Sequence, residues 1–377
     1  MILGNIGKAS FRGGRGRLNQ HGATLVELMA GLVIATVTIT AGFMALTGSE
    51  KAAHINDQTV QIQQNARVAM ELVSRDLKVA GFGVIGPVGF CNTAIVPADN
   101  NPAGADTGAD SVSMVVPTTS NVAPLWTLAA QAVGAFNTIT LQTGAVAEMT
   151  TAGLAVNGMI SIGGTVSTSV TGIAGDTLTL GSTIGAPAVF PAGTPVFLLQ
   201  CITYQVIRPG DPNVAACGGN APCLVRGVAP NAAAPRDCNT LPNTCVAIAE
   251  GIEDLQVAYA CDGCNALANG GVADRIIDDQ GAVNNTFEAS DFISNNNWTT
   301  APLTPDTIRL VRVNIVARQT RNDQGFGEGR TPAVSTTAPL VVEDHNPSAD
   351  IGYNATTYAQ LRRRLLTRTV QNRNLGL

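Results

Sequence analysis

Between Ala23 and Leu46 the chain reads ATLVELMAGLVIATVTITAGFMAL, 24 residues with a single charged side chain, Glu27. A helix of that length spans roughly 36 Å at ~1.5 Å per residue, more than the ~30 Å hydrocarbon core of a bilayer. The stretch therefore predicts a membrane-spanning helix. Residues 1–22 hold Lys8, Arg12, Arg15 and Arg17 and no acid. The positive-inside rule then keeps the N-terminus cytoplasmic and sends the chain beyond Leu46 to the other side. A secretory signal would show a shorter apolar run, about 7–15 residues, before a small-x-small cleavage site. A carboxylate inside a lone membrane helix costs about 2.5–3.5 kcal/mol on insertion scales, which makes Glu27 a functional candidate.

No proline interrupts residues 23–80, and beyond the apolar run the pattern turns amphipathic. Ile55, Ile62, Ala66, Ala69, Met70, Val73, Leu77 and Ala80 recur at steps of three, four or seven and share one helical face. Arg67 with Glu71, and Glu71 with Arg75, are expected to pair along the wet side. One helix from Ala23 to Ala80 would run about 87 Å, apolar all round at first and then with one face to bury. It ends at Gly81-Phe82-Gly83-Val84-Ile85-Gly86 before Pro87. That string has dinucleotide-fingerprint spacing, but it follows a helix and not a strand, so it reads as a glycine cap and exit loop.

Gly22-Ala23-Thr24-Leu25-Val26-Glu27-Leu28-Met29, after its basic leader, resembles the class III signal of type IV prepilins and type II secretion pseudopilins. The resemblance implies that a membrane prepilin peptidase cuts between Gly22 and Ala23 and that Ala23, standing where the family usually has phenylalanine, is N-methylated. It also implies that Glu27 is the glutamate that supports assembly. Three later segments resemble PilW-type minor pilins: 251–259 (GIEDLQVAY), 309–313 (RLVRV) and 362–374 (RRRLLTRTVQNRN). The first of them is shared with the J pseudopilin of type II secretion. In all, the resemblance covers residues 15–86, 190–208 and 250–377.

Its implications are a leader at 1–22, a pilin helix at 23–80 with 23–46 in the membrane, and a head at 81–377 with variable insertions at 88–190 and 209–249. The expected fold is α+β and pilin-like, a long N-terminal helix packed against a mainly antiparallel β-rich head. The implied role is a minor pilin at or near the filament tip that helps start pilus assembly. Its implied partners are the prepilin peptidase, other minor pilins, the major pilin and a large pilus-tip adhesin. It would wait in the inner membrane and then enter the filament.

The head reads as β on its own residues. Gly 40 and Pro 19 against few aromatics point to many turns between short strands. Apolar runs at 111–116, 138–141, 159–162, 177–180, 195–206, 255–260 and 308–317 are the strand candidates. With 13% charged residues and a net charge of -5, neither a disordered chain nor an overall basic nucleic-acid carrier fits. Eight cysteines, Cys91, Cys201, Cys217, Cys223, Cys238, Cys245, Cys261 and Cys264, all follow the membrane stretch, where the compartment favours disulfides. Sequence leaves the connectivity open. Local pairs Cys217–Cys223, Cys238–Cys245 and Cys261–Cys264 are favoured, leaving Cys91 for Cys201, and a zinc site lacks a second CxxC.

No catalytic motif is present, so neither an enzyme nor a cofactor or metal is expected. Asp278 to Glu288 lacks the oxygen-ligand alternation of a calcium loop. The basic run Arg362, Arg363, Arg364, Arg368 and Arg373 could meet DNA phosphates, but Leu361, Leu365 and Leu366 tie it to a packed element, which disfavours DNA as a partner. The alternatives are a type II secretion minor pseudopilin, or a tip adhesin or DNA-binding module built on the insertions.

Overall fold

The structure is a computed structural model that describes residues 24–100, 106–120, 126–208, 217, 221–228, 245–265, 271–280, 287–320, 338–350, 352–372 and 374. Gly22, Ala23, Cys238 and Arg373 lie outside the described residues.

Helix α1 runs Leu25–Val79. The chain divides into two compact units at residues 54 and 55. In the first, α1 is apolar and exposed, with every large apolar side chain from Leu25 to Leu46 more than half exposed. Its threonines hide their hydroxyls by bonding back one turn: Thr36 Oγ1 to Leu32 O, Thr38 Oγ1 to Ile34 O and Thr40 Oγ1 to Thr36 O, each 2.7 Å. A hydroxyl satisfied this way suits an environment without water.

The second unit, residues 55–377, holds the rest of α1 and the β-rich head. Strands β1 (Ile95–Ala98), β2 (Ser111–Thr118), β3 (Ala132–Val133) and β4 (Phe136–Thr140) come first, then a short helix α2 (Ala145–Thr151). Strands β5 (Met159–Ile162), β6 (Val166–Ala174), β7 (Thr177–Ile184), β8 (Val189–Phe190) and β9 (Val196–Ile207) follow. Beyond them lie β10 (Cys223–Val228), β11 (Cys245–Glu250), β12 (Ile252–Cys261), β13 (Ile308–Arg318), helix α3 (Ala355–Ala359) and β14 (Arg363–Gln371).

Among the described residues the strands form a nine-stranded sheet, a three-stranded sheet β12-β13-β14 and the small pair β3-β8, and every pairing between these strands is antiparallel. The large sheet is organised by β9. Tyr204 pairs with Val112 of β2 on one edge and with Arg226 of β10 on the other, while Leu198 pairs with Ile160 of β5.

The amphipathic half of α1 supplies Ile62, Ala66, Ala69, Met70, Val73, Leu77 and Ala80 to the main core. There they meet alternate residues of the strands, such as Val112 and Met114 of β2 and Val311, Val313 and Ile315 of β13. Alternation puts these side chains on one sheet face, and the ~100°-wide helical stripe covers it. The long helix packed on an antiparallel β-rich head agrees with the fold class expected from the sequence.

Residues 88–190 contribute to two large cores and to a small cluster around Val88, Cys91 and Val115. β1 and β2 contribute Ile95, Val112, Met114 and Val116 to the main core, whereas Trp126, Leu141, Met149, Ile160, Leu178 and others form a separate one. The exit of α1 is fixed by Gly81, which sits at φ +79, where a Cβ would approach the Ala94 Cβ to 2.6 Å. Both the left-handed conformation and the close approach demand glycine there.

Candidate functional site

Two regions of α1 carry polar chemistry. At its start, the Glu27 carboxylate accepts from the Thr24 backbone N–H at 3.0 Å and from Thr24 Oγ1 at 3.3 Å, while Thr24 Oγ1 accepts from Glu27 N at 3.3 Å. This reciprocal arrangement is a capping box, readable as T-x-x-E, and it satisfies helix donors that have no internal partner. The Glu27 carboxylate is thus used within its own helix.

Near the other end, Asp76 is buried among the core residues of the helix. Its Oδ2 accepts from Tyr204 Oη of β9 at 2.7 Å and from Arg226 Nε of β10 at 3.0 Å. A buried carboxylate needs such partners, and both come from adjacent strands of the large sheet. Burial and the neighbouring Asp76 charge push the Tyr204 phenol well up, so it remains a donor. Asn65 Nδ2 adds a bond to Glu250 O at 2.8 Å, and Asn374 Nδ2 donates to the terminal Ala80 carbonyl at 3.2 Å. The upper helix is thus fastened by polar bonds at several points, and the Asp76 clamp escaped the sequence reading. Its signal was available, since Asp76 stands seven residues after buried Ala69 on the same stripe. Glu71 also departs from expectation: it pairs with Arg368 of β14 at 2.9 Å.

The described cysteines are all disulfide-bonded. Cys91 joins Cys201, Cys217 joins Cys223 and Cys261 joins Cys264. Cys245 is also disulfide-bonded, and the pairing expected for it reaches Cys238, outside the described residues. Cys261 and Cys264, bonded to each other, offer no thiolate pair to zinc. Among the described residues, the donor set for a hard cation is that of Asp99, Asp106 and Asp344, which bring one carboxylate oxygen each within 4.8 Å of one another. At the start of the stretch Asp278 to Glu288, which lacks a calcium loop's alternation, Asp278 Oδ2 accepts from the N–H groups of Cys264 and Asn265, at 2.8 and 2.7 Å.

His345 is buried. Its Nδ1 lies 2.7 Å from Asp254 Oδ2 and its Nε2 lies 2.8 Å from Asp350 Oδ1. Burial pushes the imidazole pKa down, but the hydrogen bonds and charges of Asp254 and Asp350 outweigh it and hold the value up to about 10. As an imidazolium, with both nitrogens donating, it has no lone pair with which to act as a base. Because the folded pKa stands above the ordinary ~6.5, its stabilising contribution is complete below about pH 6.5 and is lost as pH rises toward 10. Denaturant unfolding of the full chain is therefore expected to show stability falling between pH 6.5 and 10, with a shallower fall in His345→Gln. Equal slopes would contradict the clamp.

Part of the basic run is drawn into the fold, whereas Arg364 is exposed. Arg363 forms a forked pair with Glu253, Nε to Oε2 at 2.5 Å and Nη2 to Oε1 at 2.9 Å. Strand β14 pairs with β13 along Arg363–Gln371.

With this geometry in place, residues 213–374 match the family model for Type IV Pilus-assembly protein W. A solved type IV-like pilin from Thermus thermophilus is similar at 11% identity and a TM-score of 0.31, covering 84% of this chain and 99% of its own. No curated protein matches.

Proposed function

We propose that this chain, a PilW-type minor pilin by the match over residues 213–374, is a non-enzymatic structural subunit that helps initiate type IV pilus assembly at or near the filament tip. The family match carries this reading. Helix α1 supports it, being apolar and long enough to cross a membrane, with none of its most apolar window buried inside the protein. The basic leader 1–22 would be removed by a prepilin peptidase between Gly22 and Ala23, and Ala23 would be methylated. Before assembly the chain would span the inner membrane once, with residues 1–22 cytoplasmic and the head at 81–377 periplasmic. Its partners would be other minor pilins, the major pilin and a large tip adhesin. The stretches 88–190 and 209–249 would be elaborations of that head.

Mass spectrometry of the mature N-terminus, joined to a count of pili in a deletion strain, tests the proposal. A chain beginning at Ala23 and a strain with few pili are the expected results. Replacing Gly22 with a bulky residue should leave an uncut precursor in the inner membrane, because a protease must approach the backbone closely there. A mature chain beginning at Met1, or normal piliation without the protein, would sink the assignment.

A further inference from the structure

A cavity of about 230 Å³ lies in the head between residues of β12, β13 and β14 and the segment 340–361. Its wall holds Glu253, Asp254 and Asp350 against Arg208, Arg318, Arg363 and His345. The acids are already engaged. Glu253 receives the fork of Arg363, Asp254 accepts from His345 and Gln256, and Asp350 accepts from His345 and from Arg208 Nη1 at 3.0 Å. Arg363 is consumed as well, since its Nη1 donates to the Tyr358 and Leu361 carbonyls at 2.6 and 2.9 Å.

Arg318 is held more loosely. Among the described residues its ion-pair partner is Glu253, whose Oε1 stands 3.8 Å from Nε, beyond hydrogen-bond reach. The Arg318 side chain is 17% exposed, and its Nε is buried without a hydrogen-bond partner. Burial pushes its pKa down; the Glu253 charge opposes this, and the charges of Arg363 and Arg208 add to it. With His345 charged, the described residues of the wall bring four cations against three anions, one negative charge fewer.

A desolvated guanidinium with a planar set of donors is matched best by a carboxylate, which accepts two parallel N–H bonds. One carboxylate also supplies the single missing charge, whereas a phosphate dianion would exceed it. The volume falls below the ~300–1,000 Å³ of ordinary small-molecule pockets, so the group is small. Val316, Leu340 and Leu361 give the wall an apolar part, and the Tyr353 and Tyr358 rings lie 5.6 Å apart beside it.

We propose that this cavity binds a single carboxylate borne on a short carbon chain, with Arg318 as its guanidinium partner. The group is either a small free acid or an acidic side chain of another polypeptide. The site is independent of the chain's part in a filament, because every element of it lies within residues 208–363.

Calorimetric titration of the full chain in detergent micelles tests it, with sodium butyrate, the capped tripeptide acetyl-Ala-Glu-Ala-amide and sodium phosphate as probes. Saturable binding of butyrate supports the site with a free acid as occupant, and binding of the peptide alone supports it with a side chain. In either case Arg318→Gln should weaken binding at least tenfold, and Arg318→Lys should weaken it too, since an ammonium lacks the fork. The unliganded Arg318→Gln protein should be at least as heat-stable as the wild type, because it loses an unsatisfied buried charge. If Arg318→Gln fails to fold, the proposal fails on stability grounds unless Arg318→Lys folds and shows the weakened binding. No binding of either carboxylate at tens of millimolar, phosphate binding as tightly, or unchanged binding in both variants overturns the site.

Discussion

Glu27→Ala protein is expected to be processed normally and yet be absent from sheared filaments, with fewer pili on the cell. In the single subunit the Glu27 carboxylate caps its own helix through Thr24 at the start of the membrane stretch, where the bilayer interface would keep it hydrated. In a filament core it would lose that water, and the nearest new cation would be the N-terminal amine created by cleavage in a neighbour. Removing one partner of a buried ion pair costs about 3–5 kcal/mol, because the other charge is left unpaired. The capping box complicates a reading of the alanine variant alone, since its loss costs ~1 kcal/mol of helix stability without any neighbour. Glu27→Gln separates the two effects. Glutamine at the third helical position still completes a capping box but carries no charge. Both variants should therefore be cleaved and excluded to a similar degree. If Glu27→Gln enters filaments at the wild-type level while Glu27→Ala does not, helix capping is what assembly needs and the intersubunit pair is wrong.

Much of this architecture was legible because it follows local periodicity. The stripe Ile62, Ala66, Ala69, Met70, Val73, Leu77 and Ala80 is the buried face of α1, and the apolar run at 159–162 is β5 to the residue. Strand β6 was not legible. Its sequence VSTSVTGIA is small and polar, and among its residues only Thr168 and Val170 are buried. It is held as a strand by its neighbours β5 and β7, which no local pattern reveals. Helix α2 is seven residues long, too short for periodicity to distinguish it from a strand. The same limit applies to polar side chains. Asp76 and His345 are charged residues whose burial depends on partners far away in sequence, Tyr204 and Arg226 for one and Asp254 for the other. Composition assigns such residues to the surface, and only tertiary pairing makes their burial tolerable. Arg318 belongs with them, although its neighbours leave its Nε without a hydrogen bond.

Loss of the Cys91–Cys201 disulfide is expected to be the most damaging single change to the head. The bond closes a sequence separation of 110 residues, from the exit loop after α1 to the central strand β9. In the chain-entropy account, a loop of about 100 residues gains ~4.7 kcal/mol from such a link, and the measured cost of removing a native disulfide is typically ~2–5 kcal/mol. Cys261–Cys264, with a separation of 3, restrains far less of the unfolded chain and should contribute roughly 2 kcal/mol by the same relation. The strands of the second core, from β3 to β8, all lie inside the long loop, so their unfolded freedom is what the first bond restricts. Both sulfurs are also packed in a small apolar cluster with Val88, Val115 and Leu199, and serine at either position would place a hydroxyl there. Urea unfolding of the full chain should give a clearly lower midpoint for Cys91→Ser/Cys201→Ser than for Cys261→Ser/Cys264→Ser. Equal losses in the two double variants would mean that local packing around the sulfurs, and not closure of the long loop, sets their contribution.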